Sequence, residues 1–297
     1  MIIPTYNRRD LLLRAVDSAL AQTCPVDEII VIDDGSTDDT KEVLTARYGD
    51  RVRYVWQPNA GVSAARNHGM SVATGRFFAL LDSDDQWLPD KNRRQLDWMH
   101  AHPDFGMVLC DVERVDDDHE LIDVFRRRDV IKEDGWAFRW IIQNPSLVPA
   151  SAMFRREVFE DVGGFDEGLR TAEDLDFHLR VASRWPIGVV EGEALVRATR
   201  GNEGLSAESS TYDDYVRVVE NAVSAARGAV DGRELDRALA TTYARNARGM
   251  LMRRRWVDAG ALWFKAWRLH NSPDMRRQLL ALVTFAAKRA VRSMLPR

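Results

Sequence analysis

The chain has too little cysteine and histidine for a disulfide framework or a zinc site. Cys24 and Cys110 are its only cysteines, and its six histidines show no spacing typical of zinc ligands. No apolar run approaches the roughly 20 residues of a membrane-spanning helix. Arg8, Arg9 and Asp10 interrupt the N-terminus before a secretory signal could form. These absences predict a globular protein of the cytoplasm.

Charge is distributed unevenly along the chain. The net charge of the whole sequence is −4, but residues 241–297 carry 13 Lys or Arg against 2 Asp or Glu, a net charge of +11, which leaves −15 for residues 1–240. A basic tail on an acidic body predicts that the tail meets an anionic partner. Nucleic acid is the usual partner of such a tail, but no recognised nucleic-acid reader motif is present, so we expect none.

The most informative stretch is an apolar run that ends in carboxylates. Five apolar residues, Phe77 to Leu81, are followed by Asp82, Asp84 and Asp85. Such a run is typical of a strand buried on both faces, and ligands of open α/β sheets lie just past the carboxyl ends of strands. Three acids this close raise one another's pKa, and a divalent cation would relieve the repulsion. A solvated acidic turn fits this stretch alone equally well.

Strands and helices alternate over the first two thirds of the chain. The first apolar run, Met1 to Ile3, stops at Pro4 and is shorter than the about 5–6 residues of a typical strand, so we expect it to lack its first residues. Alternation of this kind predicts a doubly wound, mostly parallel α/β sheet. Further strands are predicted at 28–34, 51–57, 77–81, 107–111, 151–154 and 187–190, and helices at 12–24, 61–73 and 172–183.

The remainder of the chain is of two kinds. Residues 112–148 predict a loop-rich region, whereas the pattern from Tyr212 onward is helical, with a helix pair at 241–273. In that pair Ala261, Leu262, Ala266 and Leu269 form one apolar stripe. We therefore predict two domains, a catalytic domain at 1–210 and a helical region at 211–297.

Polar residues from three strand ends are expected to meet at one edge of the sheet. Asp34 follows the second strand and the acids after Leu81 follow the fourth, and we expect these two strands to be neighbours. Thr5 and Tyr6 follow the first strand at the same edge. An aromatic face for a base, a carboxylate for base or ribose, and a cation for a diphosphate would together make a nucleotide pocket.

Six segments across roughly residues 1–205 resemble the family 2 glycosyltransferases, the inverting group with the GT-A fold. They follow the family's order and spacing, which makes the resemblance far more specific than the acidic stretch alone. The segments are IPTYNR (3–8), VIDDGSTDDT (31–40), NAGVSAARNHGM (59–70), LLDSDDQW (80–87), GGFDE (163–167) and AEDLDFHLR (172–180).

The resemblance implies roles for the residues on the nucleotide side. Pro4, Thr5 and Tyr6 would line the base pocket, with Tyr6 stacking on the ring. Asp34 would accept a hydrogen bond from the base, most naturally from a uracil N–H, and Arg66 would face the nucleotide. The full implied nucleotide-binding set is Pro4, Thr5, Tyr6, Asn7, Asp34, Arg66, Asp82 and Asp84.

The resemblance also implies the catalytic groups. Asp82, Asp84 and Asp85 would form a DXD-type motif that holds Mg²⁺ or Mn²⁺, which neutralises the leaving diphosphate. Inversion needs a base for the acceptor hydroxyl, and the family places it at Glu173 and Asp174, with Asp174 the stronger candidate. A helix start lowers a carboxylate pKa and partial burial raises it. Without the family, the two acids would fit equally well as ordinary first-turn helix acids.

The sequence departs from the family near the end of the sheet. Relatives often carry an arginine followed two residues later by a histidine, whereas here Arg197 is followed by Thr199. Arg197, Arg200 and Asn202 are the alternative candidates for a diphosphate contact. Trp87, after the acids, is predicted to belong to the core rather than to the acceptor site.

Two interpretations of the basic tail stay open. Residues 241–273 are predicted to form a hairpin whose aromatic residues pack as core. Residues 275–297, with Lys288, Arg289 and Arg292, fit either a packed helix or peripheral contact with the anionic inner face of a membrane.

The sequence thus predicts an inverting, metal-dependent glycosyltransferase. It would move a sugar from a nucleotide-diphospho-sugar, with UDP the favoured nucleotide, to a hydroxyl of a glycan or lipid-linked acceptor in cell-surface polysaccharide synthesis. One alternative is a sugar-phosphate nucleotidyltransferase. That class needs a glycine-rich basic loop after the first strand, and Asn7, Arg8 and Arg9 at this place include no glycine. The other is a non-catalytic sugar-nucleotide-binding or scaffold protein, which would not need to keep these acids.

Overall fold

The computed structural model describes residues 1–127, 137–143, 148–200 and 210–270, together with Arg277. Packing of the chain defines two compact units. The first comprises Met1–Ile141 with Ser146–Gly204, and the second comprises Ile142–Pro145 with Leu205–Arg297. The predicted domain boundary lay between residues 210 and 211.

Eleven strands and ten α-helices are found in the described residues. The strands are β1 (Ile2–Thr5), β2 (Ile30–Asp33), β3 (Arg53–Trp56), β4 (Phe77–Ala79), β5 (Gln86–Trp87), β6 (Met107–Cys110), β7 (Val112–Val115), β8 (Leu121–Phe125), β9 (Met153–Arg155), β10 (Ile187–Val190) and β11 (Val196–Thr199). The helices are α1 (Arg9–Leu20), α2 (Thr40–Tyr48), α3 (Val62–Val72), α4 (Lys91–Ala101), α5 (Phe138–Gln143), α6 (Arg156–Val162), α7 (Glu173–Ala182), α8 (Thr211–Ala226), α9 (Gly232–Met252) and α10 (Trp256–Leu269).

The main sheet of the first unit confirms the predicted doubly wound, mostly parallel arrangement. Strands β1, β2 and β3 pair in parallel, and β4 joins them because Ile2 bridges Leu80 and the Leu81 N–H donates to the Ile2 carbonyl at 3.0 Å. Beyond β4 the order continues β9, β6, β10, with β9 antiparallel to both of its neighbours. β1 therefore lies between β2 and β4, so the prediction that β2 and β4 are neighbours is wrong. Asp34 after β2 is therefore separated from the acids after β4 by one more strand than predicted.

A second sheet occupies part of the region that was predicted to be loop-rich. Its order is β5, β11, β7, β8, with β7 and β8 joined as an antiparallel hairpin. The prediction is wrong for residues 112–125, and the helix α5 follows at 138–143. Residues 128–136 and 144–147 lie outside the described part. The sheet matters because β11 carries Thr199 to the acidic cluster.

Helix α3 lies very close to the main sheet because glycine faces the strands. A Cβ at Gly69 would collide with the side chain of Ile2. The glycine lets the helix axis approach β1 and β2. Arg66 lies one turn earlier on the same helix, so this close packing also sets the distance of Arg66 from the sheet. Ile2, Ile30 and Ile32 are fully buried in this layer.

The second unit is helical, as predicted, and α9 and α10 form the predicted helix pair. Within the apolar stripe Leu262 and Ala266 are buried, but Ala261 is exposed. The prediction that the aromatic residues are core holds for Trp263 and is wrong for three others. Trp256, Phe264 and Trp267 are 44%, 59% and 45% exposed. Among the described residues, no helix combines the length and apolarity needed to cross a bilayer.

Candidate active site

The loop after β1 forms one wall of the candidate site. Tyr6 is 47% exposed, which leaves its ring accessible to a planar ligand. Asn7 adopts a left-handed conformation (φ 50°), its N–H donates to Ser36 Oγ at 2.9 Å, and its Oδ1 accepts from the Thr37 N–H at 2.8 Å. Asn7 therefore ties this loop to the loop after β2, and Pro4 and Thr5 are buried behind it.

Asp34 has a structural task in addition to any ligand contact. Its carboxylate accepts hydrogen bonds from Gln57 Nε2 at 2.7 Å, from the Ala60 N–H at 2.9 Å and from the Gly61 N–H at 2.8 Å. An ionised carboxylate offers about four lone-pair sites, so about one is left for a base. Asp34 thus fixes the loop that leads into α3 and keeps room for a single ligand hydrogen bond.

The three acids after β4 each have a different partner. Arg66 Nη2 donates to Asp82 Oδ1 at 2.7 Å, and Arg8 Nη1 donates to Asp84 Oδ2 at 2.7 Å. Asp85 is buried, and its Oδ1 accepts from the backbone N–H of Thr199 at 3.1 Å. The three carboxylates are therefore held apart by separate cations and donors.

The electrostatics of Asp84 and Asp85 fit a divalent cation. Burial raises the pKa of Asp84, and the neighbouring charge of Asp82 raises it further. Burial raises the pKa of Asp85 well above its ordinary value, with Asp82 and Asp84 adding to the effect. Among the described residues no group of three or more protein ligands is preassembled for a metal. Mg²⁺ typically takes only one or two protein carboxylates and completes its coordination shell with water and substrate phosphates. Asp84 and Asp85 would therefore be enough protein ligands for such an ion.

Arg66 joins the acid cluster to the start of α7. Its side chain is 3% exposed, and besides Asp82 it contacts Glu173, with Nη1 donating to Oε1 at 2.8 Å. Its guanidinium also lies 5.1 Å from the centre of the Phe165 ring. Sequence reasoning placed Arg66 against the nucleotide, whereas the structure shows it between two carboxylates.

The GGFDE segment holds Arg66 in place through the neighbouring Asn67. Asn67 Oδ1 accepts from the Phe165 N–H at 2.8 Å, and its Nδ2 donates to the Phe165 carbonyl at 2.9 Å. A Cβ at Gly164 would collide with the Asn67 amide. A glycine is therefore required for this loop to dock on α3 and present Phe165 beneath the guanidinium.

Helix α7 places the two predicted catalytic acids at its first turn. Ala172, just before the helix, adopts a left-handed conformation (φ 62°), which is uncommon for a residue with a Cβ and turns the chain sharply into Glu173. Asp174 accepts a hydrogen bond from the Leu175 N–H at 2.7 Å. Burial, together with the negative charge of Glu173, raises the pKa of Asp174 to about 7. A carboxyl group with this pKa is suited to general-base chemistry near neutral pH.

Sequence reasoning missed two residues that hold the acid cluster. Arg8 is the partner of Asp84, and Thr199 contacts both Asp85, through its N–H, and the Asp84 carbonyl, through Oγ1 at 2.8 Å. Thr199 occupies the position where relatives often carry histidine. This position in the sequence was the one indication that Thr199 could belong to the site. Arg197 instead pairs with Glu113 at 2.9 Å, Asn202 lies outside the described residues, and Trp87 is buried in the core as predicted.

Comparison with known proteins identifies the family. The model of the family "Glycosyl transferase family 2" matches residues 1–163. An uncharacterised glycosyltransferase of Rickettsia felis is 34% identical over 194 residues, covering 65% of this chain and 31% of the relative. A putative teichuronic acid biosynthesis glycosyltransferase of Bacillus subtilis is 41% identical over 102 residues, covering 33% of this chain and 40% of the relative. The chain spans about a third of the Rickettsia felis relative.

Solved structures give the same fold. S. aureus TarS 1-349 in complex with UDP-GlcNAc superposes with a TM-score of 0.70 at 20% identity, covering 100% of this chain and 92% of that one. The mannosyltransferase PcManGT from Pyrobaculum calidifontis, in complex with GDP-Man and Mn²⁺, superposes with a TM-score of 0.58, covering 99% and 87%. The fold is therefore of the GT-A type, and the chain belongs to glycosyl transferase family 2.

Proposed function

We propose that this chain is an inverting glycosyltransferase that moves a sugar from a nucleotide-diphospho-sugar to a hydroxyl group of a glycan or lipid-linked acceptor. One observation carries the proposal. Asp174, a carboxylate whose pKa is raised to about 7, stands beside Glu173, which Arg66 links directly to the acid cluster after β4. Single-displacement transfer requires a base for the acceptor hydroxyl and stabilisation of the leaving diphosphate, and Arg66 ties the helix start that carries the base to the acids after β4.

Different residues act on the acceptor and on the nucleotide of the donor. Asp174 accepts the proton of the acceptor hydroxyl while that oxygen attacks the anomeric carbon, and attack from the face opposite the diphosphate inverts the configuration. Glu173 is occupied by Arg66 and holds the helix start in place. Tyr6 stacks on the base, and the remaining lone pair of Asp34 accepts from its N–H.

The acids after β4 supply the leaving-group side. Asp84 and Asp85 would hold Mg²⁺ or Mn²⁺, and the bound cation would neutralise the charge of the departing diphosphate as a Lewis acid. Arg8 and Thr199 fix the orientation of these two acids. Asp82 stays paired with Arg66, so its task is to position the cluster.

UDP is the favoured nucleotide because TarS, with the higher of the two TM-scores, was crystallised with UDP-GlcNAc. A polymer acceptor of the cell surface is favoured because relatives include a putative teichuronic acid biosynthesis glycosyltransferase and an Escherichia coli chondroitin synthase. We place the reaction in the cytoplasm, in keeping with the two free cysteines.

The test is release of nucleoside diphosphate from UDP-, GDP- and dTDP-sugars, with Mn²⁺ and a crude glycan extract as acceptor. We expect turnover of one donor class, with loss of turnover but not of donor binding in Asp174→Asn. A protein that binds a donor but turns over none with any acceptor would support the non-catalytic alternative. Turnover of a sugar 1-phosphate with a nucleoside triphosphate would support the nucleotidyltransferase alternative.

A further inference from the structure

The loop between β3 and α3 is built around the carboxylate of Asp34. Oδ1 of Asp34 accepts two hydrogen bonds, from Gln57 Nε2 at 2.7 Å and from the Ala60 N–H at 2.9 Å. Oδ2 accepts one, from the Gly61 N–H at 2.8 Å. Each carboxylate oxygen has two lone pairs, so contacts with the described residues use both lone pairs of Oδ1 and leave one on Oδ2.

Asp34 lies just below the surface, at the carboxyl edge of the main sheet. Its N–H donates to the Thr5 carbonyl at 2.9 Å, so it lies beside the start of the loop that carries the exposed Tyr6. Asp34 itself is 5% exposed, and two of its donors, Ala60 and Gly61, are exposed residues. A planar base that stacks on Tyr6 therefore meets this carboxylate at the surface rather than in the core.

His68 on α3 fixes the direction in which the Gln57 amide faces. A carboxylate only accepts hydrogen bonds, so Gln57 turns its Nε2 toward Asp34 and its Oε1 away. Oε1 lies 2.8 Å from His68 Nδ1, and because an amide oxygen also only accepts, Nδ1 carries the hydrogen of this contact. The reversed amide would set oxygen against oxygen at Asp34 and N–H against N–H at His68.

A carboxylate held in this way discriminates between nucleobases. Uracil and thymine carry a hydrogen on N3 and guanine carries one on N1, whereas cytosine N3 and adenine N1 present a lone pair at the same place. A site built to bond a ligand N–H rejects an analogue that lacks it, because the acceptor is then left unpaired. Cytosine could offer its N4 amino group only if the carboxylate turned. The contact of Asp34 with Gln57, which His68 supports, opposes that turn.

We propose that Gln57 and His68 are positioning residues that hold Asp34 as a fixed acceptor and so restrict the donor to nucleotides whose base carries a ring N–H: uracil, thymine or guanine. The inference rests on the proposed function, because it takes Asp34 as the contact of the base. Neither Gln57 nor His68 belongs to the predicted nucleotide-binding set. Helix α3 then serves two parts of the site, because Arg66 pairs with Asp82 after β4 and His68 contacts Gln57.

Four variants of the full chain test the roles of Gln57 and His68. Gln57→Met removes the amide and keeps most of the volume. His68→Leu removes the ring donor, whereas His68→Asn keeps an N–H donor close to the position of Nδ1 and should restore the contact. His100→Leu is the matched control, because His100 is an exposed histidine on another helix, α4.

Calorimetry in Mn²⁺ compares the dissociation constants of UDP with CDP, dTDP with dCDP, and GDP with ADP. The two members of a pair share their sugar and diphosphate, so their ratio reports the base contact and cancels any effect of a variant on the phosphate side. We expect the wild-type protein to prefer the N–H base in at least one pair by about 100-fold or more. The preference should fall below about tenfold in Gln57→Met and His68→Leu, and stay within about twofold of wild type in His68→Asn and His100→Leu.

Three results would overturn the inference while leaving the proposed function intact. The first is nucleotide binding by the wild-type protein with no preference for the N–H base in any pair. The second is a preference that survives in both Gln57→Met and His68→Leu. The third is a failure of His68→Asn to restore what His68→Leu loses. Binding of no nucleotide by the folded wild-type protein would instead contradict the proposed function on which the inference rests.

Discussion

Arg66 and Glu173 lie 107 positions apart in the sequence, yet Arg66 Nη1 is 2.8 Å from Glu173 Oε1. The pair connects α3 to α7 and, through the second contact of Arg66 with Asp82, connects both helices to the end of β4. It also accounts for the division between the two acids of α7. Glu173 is held as a paired carboxylate, and Asp174 is left with a raised pKa.

Loss of the Arg66 side chain is expected to destabilise the protein strongly. Arg66→Met would leave Asp82 and Glu173 partly buried without their cation, and removing one partner of a buried ion pair costs about 3–5 kcal/mol. Urea denaturation measures the change in the free energy of unfolding. Arg47→Met is the control, because Arg47 pairs with Asp17 at the surface and its removal should change little. Equal unfolding free energies of the two variants would show that the ion pairs of Arg66 do not stabilise the fold.

Activity is expected to depend on the ionisation of Asp174. The pKa of this carboxyl is raised to about 7, so the group is protonated, and unable to accept a proton, below that pH. We therefore expect kcat/KM to fall about tenfold per pH unit on the acid side of pH 7. Asp174→Asn should lower kcat about 10²–10⁴-fold, the usual contribution of a general base. Asp161→Asn, on the surface beside Arg184, is the control. A flat profile between pH 5 and 7 would exclude Asp174 as the base.

Lys91 should make stability depend on pH in the alkaline range. It is fully buried, its Nζ donates to Gln95 Oε1 at 2.6 Å, and burial lowers its pKa from 10.5 to about 8. Below pH 8 both folded and unfolded chains carry the proton, so the cost of burying the charge is fully present. Above pH 8 the unfolded chain binds more protons, and stability rises with pH by about 1 kcal/mol between pH 8 and 9.

The measurement for Lys91 is the difference in unfolding free energy between wild type and Lys91→Met at pH 7.5, 8 and 9. It stops at pH 9 because burial raises the pKa of the Cys110 thiol to about 11 and the Lys91 charge lowers it, so that above pH 9 this thiol would contribute differently to the two proteins. Lys41→Met, an exposed lysine, is the control. A difference that stays constant with pH would show that Lys91 keeps an ordinary pKa.

We propose that the basic segment 275–297, which lies outside the described residues except for Arg277, contacts an anionic membrane. Each Lys or Arg near such a surface contributes about 1 kcal/mol. Replacing Lys288, Arg289 and Arg292 by Gln should therefore weaken flotation with phosphatidylglycerol vesicles at least tenfold. The same number of replacements at Lys41, Arg47 and Arg51 serves as the control. Equal flotation of both variants would contradict the proposal.

Local patterns in the sequence carried much of the fold and of the site. An apolar run that ends in acids predicted β4 and its cluster, and helical spacing predicted α3, α7 and the pair α9–α10. These features depend on neighbours in the chain. Strand order depends instead on contacts between residues far apart in the sequence, so the position of β1 between β2 and β4 was not predicted.

The missed parts of the site depend on long-range packing. Arg8 and Asp84 are 76 positions apart, and Thr199 and Asp85 are 114 positions apart, so no local pattern announces either contact. The hairpin β7–β8 was missed because its strands carry charged residues and expose Leu121 and Ile122. Such strands lack the clear apolar alternation from which a strand is predicted.

The most direct test of the central claim is calorimetric titration of the protein with UDP, GDP, CDP and dTDP in Mn²⁺ and again in EDTA. The account predicts that one diphosphate, UDP, binds tightly with Mn²⁺, that EDTA removes the binding, that added Mn²⁺ restores it, and that Asp85→Ala abolishes it. Failure of every nucleotide to bind the folded protein, or binding that is unchanged by EDTA and by Asp85→Ala, would contradict the claim that these acids form a metal-dependent nucleotide-sugar site.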